Sequence, residues 1–183
     1  MCLRLVGSEM CIRDRIYADK STYEGNWEKG LQEGFGKLTT KDGVVLEGEW
    51  KNGKIDGIGK LVQSNGDRYE GYLVDWKRNG KGVSIYTTGE KYDGSFKDDL
   101  RHGQGILTGK DGFRYEGSWS LGKMNGIGKL TYSSGSIYEG NFKNNQPNGK
   151  GKINFSDGGS YEVSLINGVI EGIGIAKYAN GLV

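Results

Sequence analysis

Tyr115-Glu-Gly-Ser-Trp-Ser-Leu-Gly-Lys-Met-Asn-Gly-Ile-Gly-Lys-Leu-Thr-Tyr-Ser-Ser-Gly-Ser-Ile137 is the stretch that decides the fold. Tyr115, Gly117 and Trp119 alternate with Glu116 and Ser118, the period of two expected of a strand with two different faces. Gly126 to Tyr132 alternates in the same way. Gly122-Lys-Met-Asn125 supplies turn residues between the two runs, and Ser133-Ser-Gly135 supplies a tight turn after them. The segment therefore reads as a β-hairpin joined by another short turn to whatever follows. A helix is excluded by its glycines, each of which costs about 1 kcal/mol relative to Ala in a helix interior.

The same pattern recurs in both directions. Tyr23, Leu46, Tyr69, Tyr92, Tyr115, Tyr138 and Tyr161 stand 23 residues apart with no slip. Self-similarity at such a period marks a repeat architecture. The copies explain the composition, 34 glycines in 183 residues with a single Pro, against roughly 7% glycine in ordinary proteins. A glycine follows two residues after most leading positions, as at Gly25, Gly117 and Gly140. Others stand eleven, thirteen and twenty residues after every one of them, from Gly34, Gly36 and Gly43 to Gly172, Gly174 and Gly181. A fifth slot, seven after, holds Gly30, Gly53, Gly122 and Gly168 but Trp76, Asp99 and Asn145 in the other copies. Only Gly7, Gly109 and Gly159 fall outside these slots. Collagen would need glycine at every third position with abundant Pro, and a flexible linker would lack the 11 Tyr, 5 Phe and 4 Trp found here.

Side-chain parity then suggests a pairing. With Tyr115, Gly117 and Trp119 on one face, an unbroken register opposes Trp119 to Gly128, Gly117 to Leu130 and Tyr115 to Tyr132, so that Trp119 and Leu130 each face a residue with no Cβ. A single sheet could cover one of its own faces in this way. Seven repeats would extend on the order of 70 Å at about 4.8 Å per strand.

Tyr23-Glu-Gly-Asn-Trp-Glu-Lys-Gly30 with Gly34-Phe-Gly36, Leu46-Glu-Gly-Glu-Trp50 with Gly57-Ile-Gly59, and Tyr115-Glu-Gly-Ser-Trp119 with Gly126-Ile-Gly128 resemble MORN repeats, the membrane occupation and recognition nexus motif. The resemblance covers residues 16–183: the tail of a preceding repeat at 16–22, then repeats at 23–45, 46–68, 69–91, 92–114, 115–137, 138–160 and 161–183. It implies an all-β fold, an elongated single-layer antiparallel β-solenoid of 23-residue hairpins, cut from a longer array. It also implies a scaffolding role, binding proteins or associating with membranes and acidic phospholipids. Such repeats accompany catalytic or structural domains in plant phosphatidylinositol-phosphate kinases, junctophilins, radial spoke head proteins and a SET-domain methyltransferase. The implied location is cytoplasmic, at the cell cortex, the cytoskeleton or cilium, or the cytoplasmic face of a membrane. Leu46, Trp76 and Val163 depart from the motif, as does the scarcity of His, with His102 alone in its slot.

Residues 1–15, MCLRLVGSEMCIRDR, share none of this patterning. Val6 to Asp14 resemble the conceptual translation of a sequencing-library adaptor, and the segment is expected to be foreign to the native protein. Cys2 and Cys11, the only cysteines, both lie within it. No disulfide, thiol or zinc chemistry is then expected.

The remaining residues suggest binding rather than catalysis. A single histidine cannot form a dyad or a zinc site with a partner of its own kind. The recurrent carboxylates from Glu24 to Glu162 are spread along one face rather than gathered as acid and base. No cofactor or metal is expected. Basic and acidic residues number 25 and 23, which leaves no polybasic stripe for nucleic acid. Two surfaces are candidates for a protein or peptide partner. One is an aromatic groove made of Tyr23, Trp27, Trp50, Tyr69, Tyr92, Phe96, Trp119, Tyr138 and Phe142; the other is a cluster on the opposite face, Tyr72, Val74, Val83 and Ile85. A sheet edge could also accept a strand. The alternative is a membrane contact through Trp76, Lys77, Arg78 and Lys81, where an aromatic replaces glycine beside three cations. A further alternative is the regulatory array of a larger enzyme.

Overall fold

A computed structural model describes residues 11–182. Fifteen strands and no helix are found among them: β1 (Cys11–Ile16), β2 (Thr22–Glu28), β3 (Leu31–Thr39), β4 (Val45–Lys51), β5 (Lys54–Val62), β6 (Arg68–Val74), β7 (Lys77–Ile85), β8 (Lys91–Lys97), β9 (Leu100–Thr108), β10 (Arg114–Ser120), β11 (Lys123–Thr131), β12 (Ile137–Lys143), β13 (Gln146–Asn154), β14 (Ser160–Ile166) and β15 (Val169–Lys177). Hydrogen-bonded neighbours follow chain order in one open antiparallel sheet, the topology that hairpin after hairpin dictates. The chain divides into two compact units, one of residues up to Thr88 with Lys97–Asp99, the other of Gly89–Phe96 and the residues from Leu100. The adaptor-like reading of residues 1–10 lies outside the described residues. Cys11 to Arg15 lie in β1, which pairs with β2 with Arg15 opposite Tyr23.

In the hairpins β2–β3, β4–β5, β6–β7, β10–β11, β12–β13 and β14–β15 the register differs from the unbroken one expected. In β10 and β11, Tyr115 faces Leu130 and Gly117 faces Gly128, after which the ladder shifts so that Trp119 faces Met124. Two extra residues of β11 are accommodated at this bulge. Gly126 sits there at φ +101°, a conformation that glycine adopts without steric cost. The tip closes over Leu121 and Gly122, both at positive φ, the signature of a two-residue type I′ turn. The invariant glycine eleven residues into the repeat thus makes the bulge, whereas an unbroken alternation had placed it on the packed face.

The other invariant pair packs glycine against glycine. Gly25, Gly36, Gly48, Gly59, Gly71 and Gly82 oppose one another from strand to strand in the first unit. Gly105, Gly117, Gly128, Gly140 and Gly151 do so in the second. Over each pair within a repeat, Gly48 with Gly59 excepted, lies the tyrosine that leads the repeat. A Cβ on Gly128 would come within 2.5 Å of Cε2 and Oη of Tyr115, and one on Gly117 within 2.5 Å of the Gly128 Cα. The expected covering of glycine by aromatic rings therefore holds, but the ring reaches two residues along the strand instead of straight across.

Tyrosine suits this place because its hydroxyl reaches a backbone acceptor. The Tyr115 Oη donates to the Ser118 carbonyl at 2.9 Å, and Tyr69, Tyr92 and Tyr138 donate to the carbonyls of Tyr72, Ser95 and Asn141 at 2.8, 3.0 and 3.1 Å. Each bond satisfies a polar group buried with its ring. Burial pushes the phenols of Tyr23, Tyr69 and Tyr115 up to about 12, so they remain neutral donors. Leu46 has no hydroxyl, and its repeat fills the same space with aliphatic groups: a Cβ on Gly59 would meet the Leu73 Cδ1 at 3.0 Å and the Ile55 Cδ1 at 3.3 Å.

Rings then interlock edge to face. In the second unit Phe96, Tyr92, Trp119, Tyr115, Phe142 and Tyr138 form a continuous row with successive centroids 4.9 to 5.3 Å apart. In the first, Trp27, Tyr23, Trp50 and Trp76 follow at 5.2, 5.1 and 5.7 Å. Such pairs contribute roughly 0.5–1.5 kcal/mol each beyond their buried area.

The departures at the hairpin tips are compensated locally. The Asp99 amide donates to the Arg78 carbonyl at 3.0 Å, as the Gly53 amide does to Gln32 at 2.9 Å. Its Oδ1 also accepts from the Arg78 amide at 2.9 Å, and the Asn145 Oδ1 accepts from Met124 in the same way at 2.8 Å. This second bond offsets the cost of a non-glycine residue at φ +67° or +72°.

Candidate functional site

All nine rings expected to line an aromatic groove are buried. Tyr23, Tyr92 and Tyr138 are 0% exposed, and Trp27, the most accessible of the nine, is 7%. The row is the core of each unit, because each ring is covered by its neighbours in the row and by glycine backbone. It offers no open groove, and this corrects the expectation.

The opposite face is different. Strand alternation places Glu24, Lys37, Glu47, Lys60 and Glu70 there in the first unit, and Glu116, Lys129, Glu139, Lys152 and Glu162 in the second, acid on the leading strand and base on the returning one. Lys129 and Glu139 pair at 2.8 Å, and Lys60 and Glu70 at 4.0 Å. Arg114 and Glu116, two apart on one strand, pair at 2.7 Å. Exposed ladders of this kind add little stability per pair; they keep the face soluble and set its charge pattern.

Apolar side chains interrupt the ladder. Tyr72, Val74 and Ile85 are 40%, 37% and 51% exposed, and Val83 is half-buried. β6 and β7 bring this cluster together, with Glu70 opposite Val83 and Arg68 opposite Ile85. On the other side of β6, Tyr72 faces Ile58, which is itself 60% exposed. The Tyr72 hydroxyl donates to the Asp56 carboxylate at 3.2 Å, which turns the ring along this face and pushes its phenol up. Phe35 and Ile127 are also exposed. Phe35, Ile58 and Ile127 were not foreseen as site residues. Their signal was in the sequence: each stands between the two glycines of a Gly-x-Gly, where alternation turns its side chain away from the packed face.

The cluster expected to touch a membrane is largely engaged with its own unit. The Trp76 ring stands edge to face with Trp50. Lys77 lies 3.7 Å from Asp98. Arg78 points into the packed face, where its guanidinium bonds Asp99 Oδ1 at 3.2 Å, the Asp99 carbonyl at 2.8 Å and the Ser84 hydroxyl at 3.3 Å, beneath the Tyr69 ring. Ser84, 1% exposed, occupies a slot that holds Leu38, Leu107 and Leu130 in other repeats, and the arginine fills the space a leucine would take. Of the three cations, Lys81 is exposed and has no ion pair among the described residues. No group of three or more potential metal ligands exists among the described residues, and no helix among them is long and apolar enough to cross a membrane.

Comparison with known families agrees with the period. The family model for the MORN repeat matches residues 23–45, 47–68, 69–91, 92–114, 115–137, 138–160 and 164–183. The chain belongs to the MORN-repeat family. The matches to the second and seventh MORN repeats begin after Leu46 and after Val163, two of the places where the motif departs, whereas the repeat carrying Trp76 is matched whole. No curated protein is matched by sequence. Among solved structures, the array is similar to the TCP domain of Drosophila melanogaster SAS-4 in complex with a proline-rich motif of Ana2, with 15% identity and a TM-score of 0.53 over 93% of this chain and 86% of that one. It is also similar to the TCP10 domain of Danio rerio CPAP, with 14% identity and a TM-score of 0.54 over 92% and 79%. The same Danio rerio domain in complex with a STIL peptide gives 11% identity and a TM-score of 0.51 over 92% and 70%. At these identities the likeness is one of fold.

Proposed function

We propose that this chain is a non-enzymatic interaction module that takes up a segment of a partner protein on the face opposite its aromatic row, at Phe35, Ile58, Tyr72, Val74, Val83 and Ile85. One observation carries the reading: the rings that could have formed a groove are consumed by the core, while the Ile58 and Tyr72 pair stands exposed in the middle of the charged face. Clusters of exposed apolar residues rimmed by charge mark contacts more often than isolated ones. The SAS-4 and CPAP domains of similar fold are solved with peptide partners, which supports a segment rather than a globular surface as the ligand. The membrane alternative is disfavoured by the pairing of Lys77 and Arg78 with carboxylates of the same unit.

Peptide display from a natural proteome library tests the proposal. Selection on the 183-residue chain is expected to enrich peptides that no longer bind Ile58→Asp/Tyr72→Ser, a variant whose exposed positions leave the melting curve unchanged. Peptides that bind both chains equally, as a sheet edge would allow, overturn it. So does sedimentation with phosphoinositide vesicles that depends on Lys77 and Lys81.

A further inference from the structure

The outer face of β12 to β15 carries a second, chemically distinct feature. Glu139, Lys150, Lys152, Glu162, Ser164, Ile173 and Ile175 surround a shallow concavity of about 510 Å³. Lys152 lies in register between Glu139 on β12 and Glu162 on β14, the position from which a lysine of this ladder would pair with an acid. It pairs with neither. The Glu139 carboxylate is turned to Lys129 at 2.8 Å on the far side of its strand. Lys150, two residues before Lys152 on the same face, has the uncharged Ser164 opposite. Both ammonium groups are without an ion pair or hydrogen bond among the described residues, and Glu162 is the one lining carboxylate in the same condition. Two strands from the lysines, Ile173 is fully exposed and Ile175 is 55% exposed. Ile175 stands where Lys37, Lys60, Lys129 and Lys152 stand in other repeats, so an expected charge is replaced by an aliphatic group.

We infer that this concavity is a docking site for an acidic, apolar peptide segment, separate from the Ile58 and Tyr72 surface. Charge decides the acidic half: two unneutralised cations face the hollow against one free carboxylate, and a peptide carboxylate would complete the alternation that Glu139 abandons. The uncovered isoleucines decide the apolar half. Geometry fixes the spacing. β13 and β15 are two strands apart, about 9.6 Å at roughly 4.8 Å per strand, and an extended peptide rises about 3.4 Å per residue. A segment crossing the strands in either direction therefore separates its acids from its aliphatic side chains by about three residues. Because alternate side chains of an extended segment share a face, an acid and an aliphatic group two or four residues apart meet the sheet together. The inference shares with the proposed function only the choice of face.

Amide chemical-shift mapping on the ¹⁵N-labelled 183-residue chain tests it. The probe is a heptapeptide with two adjacent aspartates and two leucines beginning three residues after the first aspartate. Saturable shifts are expected at Lys150, Lys152, Ser164, Ile173 and Ile175. The same heptapeptide with lysines for aspartates is expected to bind at least tenfold more weakly, and the preference is expected to reverse on Lys150→Glu/Lys152→Glu. Ile173→Ser is expected to weaken the acidic peptide without reversing the preference. Equal response to both peptides, shifts confined to Ile58 and Tyr72, no saturable shift at all, or binding of phosphatidylserine vesicles in place of the peptide would each overturn the inference. Because Ile58 and Tyr72 are untouched in these variants, failure here is separable from failure of the display experiment.

Discussion

Gly128→Val is expected to lower the melting temperature by on the order of 10 °C. The added Cβ would stand within 2.5 Å of the Tyr115 ring, and the ring has nowhere to retreat. Phe142 and Trp119 contact it edge to face at 4.9 and 5.2 Å, and its hydroxyl is held by the Ser118 carbonyl. Overpacking a well-filled core costs about 1–3 kcal/mol, and displacing Tyr115 adds a lost hydrogen bond of about 1 kcal/mol. At roughly 2–4 °C per kcal/mol for a chain of this size, the shift follows. Ile127→Ser, one residue earlier on the opposite face, is expected to stay within about 0.5 kcal/mol of the parent. Thermal melts of the two variants side by side check both values, and equal stability would mean that the glycine row is not the packed one.

Trp119→Ala should be about as damaging, at roughly 3–5 kcal/mol. The indole is 3% exposed, touches Tyr92 and Tyr115 edge to face at 5.2 Å each, and donates from Nε1 to the Gly105 carbonyl at 3.0 Å. Removing it breaks the row between repeats as well as within one. In an array whose stability is carried by neighbour contacts, that loss should split a single denaturation transition in two. Trp119→Phe separates packing from the hydrogen bond. Phe96 and Phe142 occupy the same slot in neighbouring repeats, so phenylalanine fits the row, and the expected cost is mainly the single lost bond of about 1 kcal/mol. Denaturant titration followed by circular dichroism distinguishes these outcomes.

The period and the hairpins were legible in the sequence because strand alternation and turn glycines are local signals. The glycine at residue 126 was visible too, but its task was not. A bulge is indistinguishable from continued alternation until the partner strand is known, and two extra residues on β11 moved Tyr115 from Tyr132 to Leu130. The same limit hid the fate of the aromatics. Tyr92 and Trp119 read equally well as a groove or a core, and only their edge-to-face contact across strands settles that they cover each other. Tyr72, Val74, Val83 and Ile85 were legible as apolar residues at polar slots. Ile58 was less legible because its slot lies inside the Gly-x-Gly motif, whose dominant constraint is on the backbone rather than on the side chain between. The engagement of Arg78 was beyond reach, since it depends on Ser84 and Asp99 both departing from the repeat at places that only folding brings together.

Hydroxyl-radical footprinting with mass-spectrometric readout tests most directly whether the aromatic row is the core and the opposite face the contact surface. Phe35, Tyr72 and Tyr178, all at least 40% exposed, should oxidise rapidly. Tyr23, Tyr92, Tyr115, Tyr138 and Trp119 should stay protected at doses that label those three, despite the higher intrinsic reactivity of tyrosine and tryptophan. Rapid oxidation of Tyr92, Tyr115 and Trp119 in the folded chain would contradict the buried row and restore an open aromatic groove as the place where a partner binds.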